Sequence, residues 1–327
     1  MKKEVQNLQT QKWIAVLSVI LLAIKFVAWY LTHSVSILTD ALESIVNVTA
    51  GFIGLYSLYI AAKPKDYNHP YGHGKAEFLS AAIEGTLMLF AGGLMIYSAV
   101  INFIHPKVID KLDQGIYLII ITAVINLGAG IVCVQRGRKN NSLALIASGK
   151  HLQTDSYSTF GIVAGLVLIF FTGQQWIDSV VAVIFGAVAL YMGYDIVRKS
   201  IAGIMDEADM DLLKRMLNLL NANRRENWID LHNLRIIKYG AVLHMDCHLT
   251  VPWYFDVRQA HEEIDALSDL VKKEFGESVE LFVHSDACHS FSCPICDKHD
   301  CTVRKHNFEK KIGWSLDNIL QDKKHRL

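Results

Sequence analysis

Six runs of about 20 mostly apolar residues dominate the first two thirds of this 327-residue chain. A hydrocarbon layer of ~30 Å needs about 20 helical residues to cross it, and a helix satisfies its own backbone hydrogen bonds on the way. The runs are Trp13–Leu31, Ile37–Ala61, Phe78–Phe103, Ile116–Val134, Thr154–Thr172 and Ile177–Val197. They predict a six-helix transmembrane domain over residues 13–200, preceded by an arm at residues 1–12. That arm is too polar for a signal peptide, and the first run is long enough to span, so it reads as a retained anchor. The second and fifth runs are the least purely apolar.

Basic residues alternate between loops. Lys2, Lys3 and Lys12 precede the first run, Lys63, Lys65 and Lys75 follow the second, Arg136, Arg138, Lys139 and Lys150 follow the fourth, and Arg198 and Lys199 follow the sixth. The opposite loops carry only Lys107 and Lys111. Lysine and arginine concentrate on the cytoplasmic side, so both termini are predicted to be cytoplasmic. The short termini and tight loops suggest a multi-pass protein of the bacterial plasma (inner) membrane. The formal net charge is zero, so overall charge gives no nucleic-acid footprint.

After about residue 200 the chain reads as a soluble domain. Helical spacing at 209–221, strands at 231–238, 241–251 and 279–284, and an amphipathic helix at 256–275 predict a small cytoplasmic α+β, ferredoxin-like domain over residues 201–287. Along 241–251, Leu243, Met245, Cys247, Leu249 and Val251 alternate with His244, Asp246, His248 and Thr250, the period of a strand with one buried face.

The membrane runs are interrupted by charge, and charge at bilayer depth costs several kcal/mol unless it is paired or serves a pathway. In SILTDALESIVNVTAG, Asp40, Glu43, Ser44 and Asn47 share one helical face. In SGKHLQTDSYSTFG, His151 and Asp155 are four residues apart and share another. Two such faces meeting would set carboxylates and an imidazole around a divalent metal. Lys25, in the first run, reads instead as a lysine that snorkels to the surface. Between the second and third runs, Asp66, His69 and His73 gather a carboxylate and two imidazoles in one short loop.

SVSILTDALESIVNVTAG, DYNHPYGHGKAEFLSA and HLQTDSYSTFGIVAG together resemble the cation diffusion facilitator family, over nearly the whole chain. The resemblance implies a homodimeric metal/proton antiporter embedded in the lipid bilayer, not an enzyme. It implies a transport site at Asp40, His151 and Asp155. Many relatives carry a carboxylate where Ser44 stands, so Ser44, Asn47, Glu43 or a water is left to supply the fourth ligand. It further implies a loop metal site at Asp66, His69 and His73, and a charge pair between Lys75 and Asp206 that joins the dimer's helix bundles. Finally it implies a cytoplasmic metal site at His232, His248, His261, His284 and Asp286, with His244 off the pattern. Imidazoles and carboxylates bind metal only when deprotonated, so metal and protons compete for one site.

The tail, residues 288–327, is an addition. Cys288, Cys293, Cys296 and Cys301 fall within fourteen residues, and Cys293 and Cys296 form a CxxC turn. Four thiolates complete a tetrahedral zinc site, with His289, His299 and His306 in reserve. The tail's role stays open between structural, sensory and metal-delivering. Zinc is the default ion, as substrate and as bound ion; iron, cobalt, nickel, manganese and cadmium remain compatible. A membrane-anchored metal enzyme or a metal sensor without transport are the competing readings.

Overall fold

The computed structural model describes residues 2–32, 35–104, 116–174, 176–240, 242–276 and 278–327. It divides into two compact units, Met1–Met205 and Asp206–Leu327.

Among the described residues the first unit has six helices: α1 (Lys2–Thr32), α2 (Val35–Ala61), α3 (Ala76–Ile104), α4 (Ile116–Asn140), α5 (Leu143–Thr172) and α6 (Trp176–Ile204). Among the described residues, Val5–Val27, Ala76–Ile104, Ile120–Asn140 and Ser179–Ile204 are long and apolar enough to cross a membrane on composition alone. Phe90, Leu94, Val124 and Ile184 are exposed on the helices, as lipid-facing side chains are. α3 lies along α6 at backbone contact. A Cβ added to Gly193 would fall 2.8 Å from the Gly85 carbonyl, and one added to Gly92 would fall 2.8 Å from the Gly186 carbonyl. Both glycine pairs recur at seven-residue spacing, the small-residue packing by which membrane helices approach one another.

Two boundaries differ from the sequence expectation. The arm at residues 1–12 is not separate: α1 begins at Lys2. Asn7, Thr10 and Gln11 are buried against other helices, whereas Gln6, Gln9 and Lys12 are exposed; Arg136 donates to Thr10 at 2.9 Å and Asn140 to Asn7 at 2.6 Å. α5 begins at Leu143 rather than Thr154: the stretch SGKHLQ is helical, and Ser148, Gly149, His151 and Leu152 within it are buried in the bundle.

The second unit is a three-stranded sheet with helices: α7 (Met210–Ala222), β1 (Asp230–Tyr239), β2 (Val242–Val251), α8 (Val257–Phe275), β3 (Val279–Ala287) and a short α9 (Leu316–Ile319). β1 and β2 form an antiparallel hairpin, and β3 pairs parallel to β2 after the α8 crossover. Leu243, Met245, Cys247, Leu249 and Val251 all face the core, packed with Leu213, Met216 and Leu220 of α7 and Leu267 and Val271 of α8. The tail is not an appendage. Trp314 and Ile319 belong to that core, and the Arg224 guanidinium lies 4.1 Å from the Trp314 ring centroid while donating to the Ile312 carbonyl at 2.6 Å.

Asp209 caps α7 by accepting from the Asp211 and Leu212 N–H groups, and also receives the Lys238 ammonium. Burial raises its carboxyl, but Lys238 and the helix N–H groups outweigh burial and hold it below the ordinary carboxylate range. The cap therefore stabilises the domain above that range and is lost as pH falls through it. Asp209→Ala is expected to lower the stability of this domain by about 1 kcal/mol, read as a lower thermal midpoint at neutral pH with a smaller difference in acid.

Candidate metal sites

α5 carries the membrane pair. His151 is 7% exposed, and its Nε2 stands 3.9 Å from Asp155 Oδ2 one turn later. Because Ser142 caps α5, accepting from the Leu145 N–H at 3.4 Å, His151 lies two turns inside the helix rather than at its start. The side chains of Asp40, Glu43 and Asn47 on α2 lie outside those described. Ser44 is described, and it is engaged: the Lys25 ammonium donates to its hydroxyl at 2.7 Å, and both residues are 8% exposed. Lys25 therefore does not snorkel. In a low-dielectric bundle a polar partner on the neighbouring helix is closer than the interface.

Two buried carboxylates escaped the sequence reading. On α3, Glu84 accepts from Ser148 of α5 at 2.9 Å, and Glu77 accepts from Ser142; each is 1% exposed. Glu84, Gln11 and Ser148 crowd Gly54 of α2, where an added Cβ would lie 2.7, 3.0 and 3.2 Å from them. Gly54 thus marks the place where α2 closes on α5. The signal was present, as acids seven residues apart inside an apolar run.

In the loop after α2, His69 Nδ1 is 3.0 Å and His73 Nε2 3.3 Å from the two oxygens of Asp66. One ligand atom from each of the three lies within 4.8 Å of the others. Slight burial raises the Asp66 carboxyl, but the His69 ring and backbone N–H outweigh it and hold it low, which keeps it anionic for a cation. Nearby, Lys75 donates to the Ile204 carbonyl at 3.5 Å, two residues before Asp206.

Strand register builds the third cluster. His232 of β1 pairs with His248 of β2, which pairs with His284 of β3. The three imidazoles form a row across the sheet, with ring centroids 5.1 and 4.8 Å apart. Asp286 lies two residues beyond His284 on the same face. Its Oδ2 is 3.5 Å from His232 Nε2 and 3.4 Å from His248 Nδ1, and its Oδ1 is 3.7 Å from His284 Nε2. Behind His232, Asp230 stands 3.5 Å from Nδ1, the carboxylate–imidazole support typical of metal ligands. Burial raises Asp230, but bonds from His232 and His325 outweigh it and hold it well below the carboxylate range. His261 is not brought into this cluster; it is exposed on α8 beside Asp265. His244 is held by Glu280 at 3.2 Å. Sequence reasoning missed Asp322: one ligand atom from each of His232, His248 and Asp322 lies within 4.8 Å of the others.

In the tail, Cys288, Cys293, Cys296 and Cys301 line one cavity of about 20 Å³ with Tyr254 and Arg304. That volume holds a single water-sized species. The Cys296 N–H donates to the Cys293 carbonyl at 3.3 Å, closing the CxxC turn, and Arg304 bonds the carbonyls of Cys293 at 3.0 Å, Cys296 at 3.0 Å and Lys298 at 2.7 Å. The Trp253 N–H points at Cys288 Sγ at 3.4 Å. Burial and the neighbouring sulfurs push the Cys288 and Cys296 thiols up. His289, His299 and His306 are not among the lining residues.

The cation efflux transmembrane domain matches residues 12–205 and the cation efflux protein cytoplasmic domain matches residues 208–288. The chain belongs to the cation efflux, or cation diffusion facilitator, family. An uncharacterized transporter of Synechocystis is 31% identical over 76% of this chain and 81% of its own length. The cation-efflux pump FieF of Shewanella oneidensis is 26% identical over 81% of this chain and 89% of its own. An uncharacterized transporter of Methanocaldococcus jannaschii is 26% identical over 82% and 94%. The protein is thus a multi-pass membrane exporter of metal cations, a transporter and not an enzyme. The family match ends at residue 288, where the cysteine-bearing tail begins.

Proposed function

We propose that this cation efflux protein exports a divalent transition-metal ion, zinc foremost, in exchange for protons, as a homodimer in a bacterial plasma membrane with both termini cytoplasmic. The observation that carries the reading is the His151–Asp155 pair, facing one another at 3.9 Å inside a membrane-spanning bundle. An imidazole and a carboxylate at such depth release protons when a metal arrives and take them back when it leaves.

Helix phase supports a choice for the α2 contribution. α2 and α5 lie three passes apart and run antiparallel, with Gly54 opposite Ser148. Seven residues, about 10 Å, deeper along each helix stand Asn47 and Asp155. Positions 47 and 43 fall within about 20° of the Gly54 stripe, position 40 about 40° away and position 44 about 80° away, on the side of α1. Glu43 and Asn47 are therefore our leading partners for His151 and Asp155, with Asp40 behind them and Ser44 reserved to Lys25.

The loop cluster, the sheet cluster and the four tail cysteines are proposed as further metal sites. His261, exposed and apart from the sheet cluster, is proposed to reach a site shared with a second copy. Lys75 and Asp206 are proposed as the charge pair that steadies the dimer. The test is reconstitution into vesicles holding a pH-sensitive dye, with zinc, iron(II), cobalt, nickel, manganese and cadmium offered in turn. Metal flux with opposite proton flux is expected, strongest for zinc. Metal flux that leaves lumenal pH unchanged would remove the antiport reading.

A further inference from the structure

Beyond the family match, the last residues of the tail return to the sheet cluster. β1 is bulged between His232 and Arg235, and Asn233 there takes a φ of 52°. This left-handed residue turns its N–H out of the ladder, and the N–H donates to the Gln321 carbonyl at 2.8 Å. The next residues are fixed in turn. Lys324 Nζ reaches the Ala287 carbonyl at 3.1 Å and Asp286 Oδ1 at 3.2 Å. The His325 N–H donates to Asp230 Oδ2 at 2.9 Å, and its ring meets Asp230 Oδ1. Between these anchors stands Asp322, grouped with His232 and His248.

We propose that Asp322 is a metal ligand: with His232, His248 and Asp286 it closes a four-coordinate site for a zinc-like ion within a single chain. This rests on the sheet-site reading above and adds a ligand from outside the matched family domain. Tetrahedral zinc with ligands at 2.0–2.1 Å requires ligand atoms about 3.3–3.4 Å apart. The separations of Asp286 Oδ2 from His232 Nε2 and His248 Nδ1, 3.5 and 3.4 Å, are already of that size. That oxygen is shut off from solvent and accepts no hydrogen bond. A buried carboxylate oxygen flanked by two imidazoles is explained by a cation, because an unbonded anion there is costly. Two imidazoles and two carboxylates give a neutral site for a divalent ion. Lys324 plays the opposite part. Its ammonium pairs with the other oxygen of Asp286 and competes for the charge that a metal needs. One strap therefore carries a ligand and a competitor two residues apart.

The pair makes a test that a merely structural strap would fail. Zinc affinity is measured on the full-length protein in detergent micelles by calorimetric titration, with His248→Ala defining the contribution of the sheet site. Asp322→Asn and Asp322→Ala are expected to weaken that contribution at least about tenfold. Lys324→Gln is expected to bind at least as tightly as the native chain. If Asp322→Asn binds like the native chain while His248→Ala loses the ion, the tail carboxylate is not a ligand. If the Asp322 and Lys324 variants weaken together, the strap acts by holding the fold and the proposal is overturned. If His248→Ala changes nothing, the sheet-site reading fails first and this inference falls with it.

Discussion

In dye-loaded vesicles, Asp155→Ala is expected to reduce both metal flux and the opposed proton flux to background, and Glu43→Ala to do the same. A divalent ion at bilayer depth is tolerated only where anions face it. Removing one member of a buried charge set costs about 3 kcal/mol or more, roughly a hundredfold in site occupancy. The paired loss of both fluxes matters, since a variant that only weakened proton release would still pass metal. His151→Gln separates the two jobs further. It keeps a polar side chain but removes the strongest nitrogen ligand and its proton, so metal flux falls and the remaining flux depends less on pH. Comparing Glu43→Gln with Asp40→Asn tests the helix-phase assignment. Glu43→Gln is expected to cost far more, and the reverse order would return Asp40 to the centre of the site. Normal transport by Asp155→Ala would overturn the whole assignment to α5.

Long, simple patterns in this chain were legible from sequence, and meetings between distant segments were not. The alternation from Leu243 to Val251 named the core face of β2 correctly, but His244 and Thr250 on the other face are buried as well. His232, His248 and His284 were visible as candidates, but their single row depends on register in two different pairings, which no local pattern encodes. Helix ends were misplaced where polar residues are buried by other polar residues. Asn7 and Gln11 read as solvated, yet they are wholly buried against α4, α2 and α5. Lys25 failed for the same reason: snorkelling is the expectation for an isolated helix, and the Ser44 hydroxyl sits on another one. Asp322 carried no spacing signal, being 74 residues from His248 in a run of ordinary surface residues. The Asn233 bulge, which receives the tail beside it, and the Lys324 and His325 contacts that follow bring it to the cluster.

Cys293→Ser with Cys296→Ser is expected to remove one tightly held zinc per chain and to free the tail. A cavity of about 20 Å³ lined by four cysteines has room for one ion and for no organic ligand. Buried thiols with raised pKa repel one another as thiolates, but a bound zinc deprotonates them and replaces repulsion with four bonds. The surrounding backbone is already set for that role. Arg304 gathers three carbonyls of the turn, and Pro294 offers its own carbonyl to the N–H groups of Glu309 at 2.8 Å and Lys310 at 3.1 Å. The ion would therefore fasten residues 288–311 as one knot, and Trp314 and Ile319 follow it into the domain core. Structural zinc sites supply folding free energy outright, on the order of 10 kcal/mol of apparent binding energy at neutral pH. The double variant should lose one equivalent of zinc by elemental analysis, expose the segment after Cys301 to limited proteolysis, and lower the thermal midpoint of the C-terminal domain. Transport should persist at a reduced rate, because the thiols are not part of the membrane pathway. Unchanged zinc content would overturn the tail site, and a disulfide in the air-oxidised protein would then be the species to look for.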